Sequence, residues 1–324
     1  MSSKIASIVA PIVVALALVG FAINPGTLVP AEPTQLGEAA LAPNVPADLV
    51  TETPTPESTT STVPTATPSA TLLDPTPTRT PVAVVALNTT TSVRVPILMY
   101  HYIRTPPDEN DKIRVDLSVT PANFEAQIKY LVAEGYHTIL LSDLAEYLIS
   151  GTRLPSKPIV LTFDDGYLDN YQNALPILKK YNQVGTFFII TGFVDEGRTG
   201  YMNWDQIEEL AIEGMEIGSH TMSHLDLRNR TRAQLNTEIV SSKLTIQSRI
   251  GVTVKSFCYP SGKYDARTLD VVRAADYLVA VATDSQGVIQ SANYIYELKR
   301  VRVRGTYSVT DFAYWLKYFI ASGK

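Results

Sequence analysis

Apolar positions along this 324-residue chain fall into three regimes. Residues 5–23 are apolar and uncharged throughout, behind a lone Lys4. About 19 apolar residues is near the length of a membrane span and long for a signal-peptide core. The segment predicts an uncleaved signal anchor, with a signal peptide cleaved after Ala22 as the alternative. Either would export the rest of the chain. No cysteine stands at the end of the segment, which excludes a lipoprotein anchor. From residue 24 to 92 the chain is rich in Pro, Thr, Ser and Ala, with no sustained period. Such a stretch cannot bury enough apolar surface to offset its conformational entropy. It is expected to be a disordered linker spanning at least about 45 Å as a flexible coil. The apolar run 82–87 is the exception and could pack on the domain that follows.

Between residues 93 and 324, short apolar runs alternate with helical periods. Strands are expected at 95–100, 137–141, 158–163, 186–191, 215–218, 256–259, 278–282 and 298–303. Helices are expected at 121–134, 142–149, 171–181, 204–213, 232–250, 265–275 and 310–321, the first opened by Thr120 and stopped by Gly135. This order predicts one α/β domain with a parallel sheet and crossover helices. Roughly seven or eight strand–helix units suit a TIM-like barrel better than an open sheet. No internal repeat is present.

Charge and cysteine content narrow the partners. A net charge of -5 gives no reason to expect nucleic acid or an anionic membrane surface. The single cysteine, Cys258, excludes an internal disulfide framework and a Cys-rich metal cluster.

Chemistry concentrates in two motifs, Thr162-Phe163-Asp164-Asp165-Gly166 and His220-Thr221-Met222-Ser223-His224. The carboxylate pair follows an apolar strand, at the end where barrel active sites sit. Neighbours in a strand point to opposite faces, so both Asp serve one site only if the chain bends, which Gly166 permits. His220 and His224, four apart, would share one side of a helical turn and reach one ion. One Asp and both His would then hold a divalent metal, and the spare Asp would take a proton from water that the metal has acidified. Hydrolysis of an amide also needs an acid for the leaving nitrogen. Of the four His, His137 lies between a helix and a strand and reads as structural. His101 follows a strand end and is left as the acid candidate, a rim histidine being the alternative reading.

These motifs together resemble the NodB-homology polysaccharide deacetylases, carbohydrate esterase family 4. The resemblance covers about residues 95–305 and implies a distorted (β/α) barrel of about seven strands. It implies a divalent metal, zinc foremost, with Co2+, Mn2+ or Ni2+ as alternatives. By position it makes Asp164 the catalytic base and Asp165, His220 and His224 the metal ligands. The family's third motif, an Arg, two residues, a Pro and an aromatic, is incomplete in Phe257-Cys258-Tyr259-Pro260-Ser261-Gly262. Cys258 stands near where the base-orienting Arg would lie and reads as a small core residue. Tyr259 could still supply the oxyanion N–H. Near the C-terminus Leu298-Lys299-Arg300 replaces the family's Leu-x-His, so no acid lies there. Arg300 could orient the base, or be a surface or carboxylate-paired Arg. The departures resemble a rearranged subgroup that includes poly-β-1,6-N-acetylglucosamine deacetylases. Members open with Met-Tyr-His, as in Met99-Tyr100-His101, whose His serves as the acid. Asp284 is a candidate partner or a solvated loop residue. Tyr201 and Trp204 are candidates for a sugar-stacking wall, or for core or loop-anchoring roles.

The expectation is an exported, membrane-anchored or secreted metal-dependent hydrolase that deacetylates N-acetylglucosamine units of an extracellular or cell-wall polysaccharide. Acetylxylan or another amide or ester is the alternative substrate. A non-catalytic wall-binding module is the alternative class, favoured by the incomplete third motif. Loops 103–116 and 195–201 are expected to set specificity.

Overall fold

The computed structural model describes residues 92–283 and 286–323. The expected apolar segment 5–23, the Pro/Thr-rich stretch up to residue 91, the run 82–87 and Asp284 lie outside them. Among the described residues, no helix is long and apolar enough to cross a membrane.

Among the described residues ten strands form: β1 (Ser92–Arg94), β2 (Ile97–Tyr100), β3 (His137–Ile139), β4 (Pro158–Phe163), β5 (Thr186–Ile189), β6 (Glu216–Ser219), β7 (Ser256–Cys258), β8 (Val279–Val281), β9 (Ile289–Ser291) and β10 (Val301–Arg302). Seven make a parallel sheet in the order β10-β2-β4-β5-β6-β7-β8, and β3 pairs with the first half of β4. Leu298, just before β10, forms a parallel bridge with Val281 of β8. The stretch from Leu298 to Arg302 thus touches both edges of the curled sheet, as a distorted barrel requires. β1 and β9 make a separate antiparallel ribbon.

Strands of a parallel sheet covered on both faces read as continuous apolar runs, and β2 and β5 are buried at every position. Leu98, Tyr100, Leu161, Phe163, Phe187 and Phe257 pack outward with the helices, including Phe124 and Leu131 of Pro121–Ala133. Ile97, Val160, Phe188, Cys258, Val279 and Val281 form a smaller inward cluster. Side chains alternate along a strand, so Thr162 and Asp164 continue the inward row of Val160. That alternation delivers Asp164 to the interior at the top of β4.

Most expected elements form within a few residues, and the departures have physical causes. The helix expected at 171–181 opens with a π turn, Asn170–Ala174, before Leu175–Lys180. Pro176 lacks an N–H, so the α ladder cannot run unbroken through it. The helix expected at 232–250 carries a π turn at Asn236–Ser241. The strand expected at 298–303 is divided between two neighbours: Leu298 pairs with β8, and only Val301–Arg302 pair with β2, so the strand shortens to those two residues. Two short helices, Lys112–Leu117 and Thr191–Asp195, are too brief to carry a readable period.

The loop after β2 is fixed against the chain after β10. Gly305 donates its N–H to Asp116 O at 2.7 Å, and Asp116 pairs with Arg302 at 2.8 Å and Arg304 at 3.1 Å. A Cβ on Gly305 would overlap the backbone oxygens of Val115 and Ser118. Gly305→Ala is expected to cost about 2–3 kcal/mol, read as a lowered thermal midpoint. An unchanged midpoint would show that the two segments part freely.

Candidate active site

The chain bends at Asp165, earlier than the expected hinge. Asp165 has φ 75° and Gly166 φ 77°, two successive left-handed residues. A non-glycine residue there is uncommon, and such positions persist only where their surroundings hold them. Without the bend, Asp165 would point to the outer face. With it, both carboxylates are almost fully buried in the same interior, at 1% and 4% exposure.

The histidine motif corrects one expectation. Residues 220–224 form a loop, not a helical turn, with Thr221 at φ 70° and His224 at φ 58°. The loop still aims both imidazoles at one atom. His220 Nε2 lies 3.3 Å and His224 Nε2 3.5 Å from Asp165 Oδ1. His220 Nδ1 is 2.8 Å from the carbonyl oxygen of Cys258. A carbonyl only accepts, so Nδ1 carries a proton. Burial lowers the imidazole, but Cys258, Asp165 and Asp164 outweigh it and raise it well above its usual value, so Nε2 binds either a proton or a cation at Asp165.

These residues fit a divalent cation. Asp165 Oδ1 is buried without a hydrogen-bond partner. The three donor atoms lie within 4.8 Å of one another. Donors at zinc distances and a tetrahedral angle sit about 3.3 Å apart, close to both observed separations. Lone pairs facing each other across that gap repel unless a cation or proton lies between them. Burial alone would push the Asp165 carboxyl up. The positive charge that the imidazoles of His220, His224 and His101 carry when protonated outweighs it and holds the carboxyl below the usual carboxylate range.

Asp164 has a different environment. Arg300 grips it with both forks, Nη1 to Oδ1 at 2.7 Å and Nη2 to Oδ2 at 2.8 Å. All five guanidinium hydrogens find acceptors. Nε donates to Ala282 O at 3.1 Å, and the remaining two reach Thr162 Oγ1 at 3.1 Å and Cys258 Sγ at 3.2 Å. Burial raises the Asp164 carboxyl, but the charge and hydrogen bonds of Arg300 prevail and keep it ionised. Of the two expected readings of Arg300, the carboxylate-paired one is the observed geometry, and the carboxylate is Asp164. His101 Nε2 lies 4.0 Å from Asp164 Oδ2 on the same side. Its imidazole is pushed down by burial, against Asp164 and Asp165, with Arg302 and Arg300 adding to the push. The Cys258 thiol is fully buried and pushed up by burial, as befits a core residue and not a nucleophile.

Other expected residues differ in standing. The Tyr259 N–H points to Val281 O at 3.3 Å, a long sheet bond that it would have to give up to meet an oxyanion. Trp204 donates Nε1 to Asp195 Oδ1 at 2.9 Å and packs on the core, which makes it a loop anchor. Tyr201 joins a ring stack instead. Tyr102 and Tyr167 stack at 3.9 Å, Tyr167 and Tyr201 lie 5.0 Å apart, and Phe193 follows at 5.0 Å. This stack ties the loops after β2, β4 and β5 together beside Asp165. His137 lies at the start of β3 against Ser156 O, at the opposite end of the sheet.

Two acids that sequence reasoning did not single out, one of them helped by Asn173, hold the site. Buried Asp169 accepts from Ile103 N–H at 2.7 Å, while Asn173 donates to Ile103 O at 2.8 Å, which fixes the loop that carries His101. Glu238 accepts three hydrogen bonds from the loop between His220 and His224. Neither carried a local signal, since each is a lone acid within a helical stretch.

The chain has known relatives. The sequence pattern of the polysaccharide deacetylase family matches residues 151–280. YxkH of Bacillus subtilis (strain 168), provisionally named a polysaccharide deacetylase, is 32% identical over 231 residues, 71% of this chain and 79% of its own. A poly-β-1,6-N-acetyl-D-glucosamine N-deacetylase of Staphylococcus aureus (strain MRSA252) is 28% identical over 193 residues, 55% of this chain and 66% of its own. Among solved structures, the Streptococcus pyogenes deacetylase PplD, in complex with acetate, superposes with a TM-score of 0.64 at 31% identity. That match covers 69% of this chain and 98% of PplD. The chain belongs to the NodB-homology polysaccharide deacetylase family, whose members are hydrolases of acetyl groups on sugar polymers.

Proposed function

We propose that this protein is a metal-dependent N-deacetylase of N-acetylglucosamine units in a cell-wall or extracellular polysaccharide. The observation that carries the reading is the division of two adjacent carboxylates. Arg300 locks and ionises Asp164, while Asp165 faces the Nε2 atoms of two imidazoles. Two carboxylates whose surroundings differ this much have separate tasks.

In this reading Asp165, His220 and His224 hold a divalent cation, most suitably Zn2+. When bound, the cation supplies Lewis acidity to the acetyl carbonyl and acidifies the attacking water. Asp164 accepts the proton of that water, and Arg300 fixes the direction of its lone pairs. His101, across from Asp164, donates a proton to the departing sugar nitrogen. The Tyr259 N–H enters as an oxyanion donor only by exchanging its bond to Val281. The interior also balances electrically. Asp164 and Arg300 cancel, and Asp165 with two neutral imidazoles leaves room for a doubly charged ion and one hydroxide.

The incomplete third motif was the main support for a wall-binding module. Arg300 brings a guanidinium to the proposed base from the chain just before β10, and that support weakens. A surface polymer as substrate agrees with an exported protein, anchored or secreted through residues 5–23. The resemblance to a poly-β-1,6-N-acetylglucosamine deacetylase makes that polymer the first to try.

The test is acetate release by the full-length chain, stripped with chelator and after addition of Zn2+. Substrates are β-1,6 and β-1,4 N-acetylglucosamine oligomers, peptidoglycan and acetylxylan. Zn2+-dependent release from an N-acetylglucosamine polymer is expected. Release from acetylxylan alone would move the reading to an esterase. Metal binding with no release from any substrate would move it to the binding module.

A further inference from the structure

The loop that presents His220 and His224 is held in an unfavourable backbone shape. Thr221 and His224, neither of them glycine, both have left-handed φ. Conformations of this kind are unfavourable and need surroundings that over-determine them. One side of the restraint is backbone from the loop after β5. Thr191 N–H donates to Thr221 O at 3.2 Å, and Gly192 N–H to Met222 O at 2.8 Å. A Cβ on Gly192 would press on Met222 O, so this approach requires glycine.

The other side of the restraint is a single carboxylate. Glu238 Oε2 accepts from Met222 N–H at 3.1 Å and Ser223 N–H at 2.9 Å, and Oε1 accepts from Ser223 Oγ at 2.6 Å. Glu238 is 6% exposed. Among the described residues no cationic side chain forms a salt bridge with it. A buried carboxylate is retained at a cost unless hydrogen bonds satisfy it, and these three all come from residues between the two histidines. Glu238 sits in the π turn Asn236–Ser241, a distortion that occurs frequently at functional sites. One helical turn further on, Ser242 Oγ meets Ser219 Oγ at 2.7 Å, beside His220. A single helical stretch therefore grips the histidine motif at its start and in its middle.

We propose that Glu238 is a positioning residue for the metal site, acting through Met222 and Ser223 to set how His220 and His224 converge on Asp165. The inference rests on the metal-site reading above, and it concerns metal affinity, not proton transfer. Glu238 touches neither substrate nor ion.

The experiment measures Zn2+ affinity of the full-length chain by competition with a chromophoric chelator, alongside melting with EDTA present. It compares the unmodified chain with Glu238→Gln, Glu238→Ala, Glu238→Asp and His220→Ala. Gln has the shape to keep all three contacts, with Ser223 Oγ turned to accept, so its affinity should stay within a few-fold. Ala removes the grip and should weaken Zn2+ binding about 10–100-fold, the range seen when groups behind metal ligands are removed. Asp keeps the charge but falls short of the loop, so weakening is expected there too. It also serves if the Ala variant does not fold. A folded Glu238→Ala or Glu238→Asp protein with unchanged Zn2+ affinity, even with a lowered apo melting point, would overturn the proposal. His220→Ala tests the underlying reading separately. If it binds Zn2+ as well as the unmodified chain, the site itself is misassigned and the role of Glu238 falls with it.

Discussion

Asp164→Asn is expected to slow acetate release about a thousandfold, within the range lost when a general base is removed, while Zn2+ stays bound. Asn has the shape of Asp but cannot accept the proton of water. The proposed ligands Asp165, His220 and His224 keep their positions, because their supports are the bend at Asp165, the Cys258 carbonyl and the Glu238 grip. The substitution has a second consequence. Arg300 is 1% exposed and loses its counter-charge. Breaking a buried pair from one side costs about 3–5 kcal/mol, so the variant should also melt earlier. Activity is therefore compared at a temperature where both proteins are folded, with metal content measured on the same samples. Loss of metal together with activity would make Asp164 a ligand and not the base. Retained turnover would remove it from the chemistry altogether.

What the sequence disclosed follows from what is local. The apolar runs that became β2, β4 and β5 are continuous because both faces of those strands are covered, and the pattern needs no knowledge of partners. The motif residues were also legible, because Asp164, Asp165, His220 and His224 are close together in sequence as pairs. The reasoning that joined His220 to His224 was wrong in its geometry. A four-residue spacing was read as a helical turn, whereas Thr221 and His224 adopt left-handed backbone in a loop. The imidazoles converge because Thr221 Oγ1 accepts from the His224 N–H and because distant groups, Glu238 and the loop after β5, hold the rest of the loop.

The other losses are long-range as well. Arg300 meets Asp164 across 136 residues, and Cys258 shares that contact across 42. Short of resemblance to a family, nothing in Leu298-Lys299-Arg300 marks the Arg as buried, since Lys299 beside it has a similar composition and faces outward. Asp169 is legible only once the loop after β2 is known to lie against the helix after β4. The candidate site is therefore readable in the motif side chains that gather there and unreadable in what orients them.

Arg300→Met is expected to be as damaging as loss of the base, by a different route. Met fills much of the same volume but leaves Asp164 as a buried carboxylate with no cation. Burial alone raises the Asp164 carboxyl, and Arg300 is the first force against it. In the unmodified protein its folded value lies below the unfolded one. The pair's contribution to stability is then full above the unfolded carboxylate range and fades as pH falls through the folded value. Without Arg300 the sign reverses, so the Arg300→Met variant should be least stable at neutral pH and recover part of the loss on acidification. The expected cost near neutrality is about 3–5 kcal/mol, with acetate release falling because the base is both protonated and free to rotate. Arg300→Lys should recover charge but not the two-pronged grip, and so only part of the activity. The decisive comparison is the double variant, Asp164→Asn with Arg300→Met. Removing both charges from a buried pair often restores stability that either single change loses. The double variant should therefore melt above both single variants and still release no acetate. If the stability losses simply add, Arg300 and Asp164 do not act as a pair, and the guanidinium has no claim to orienting the base.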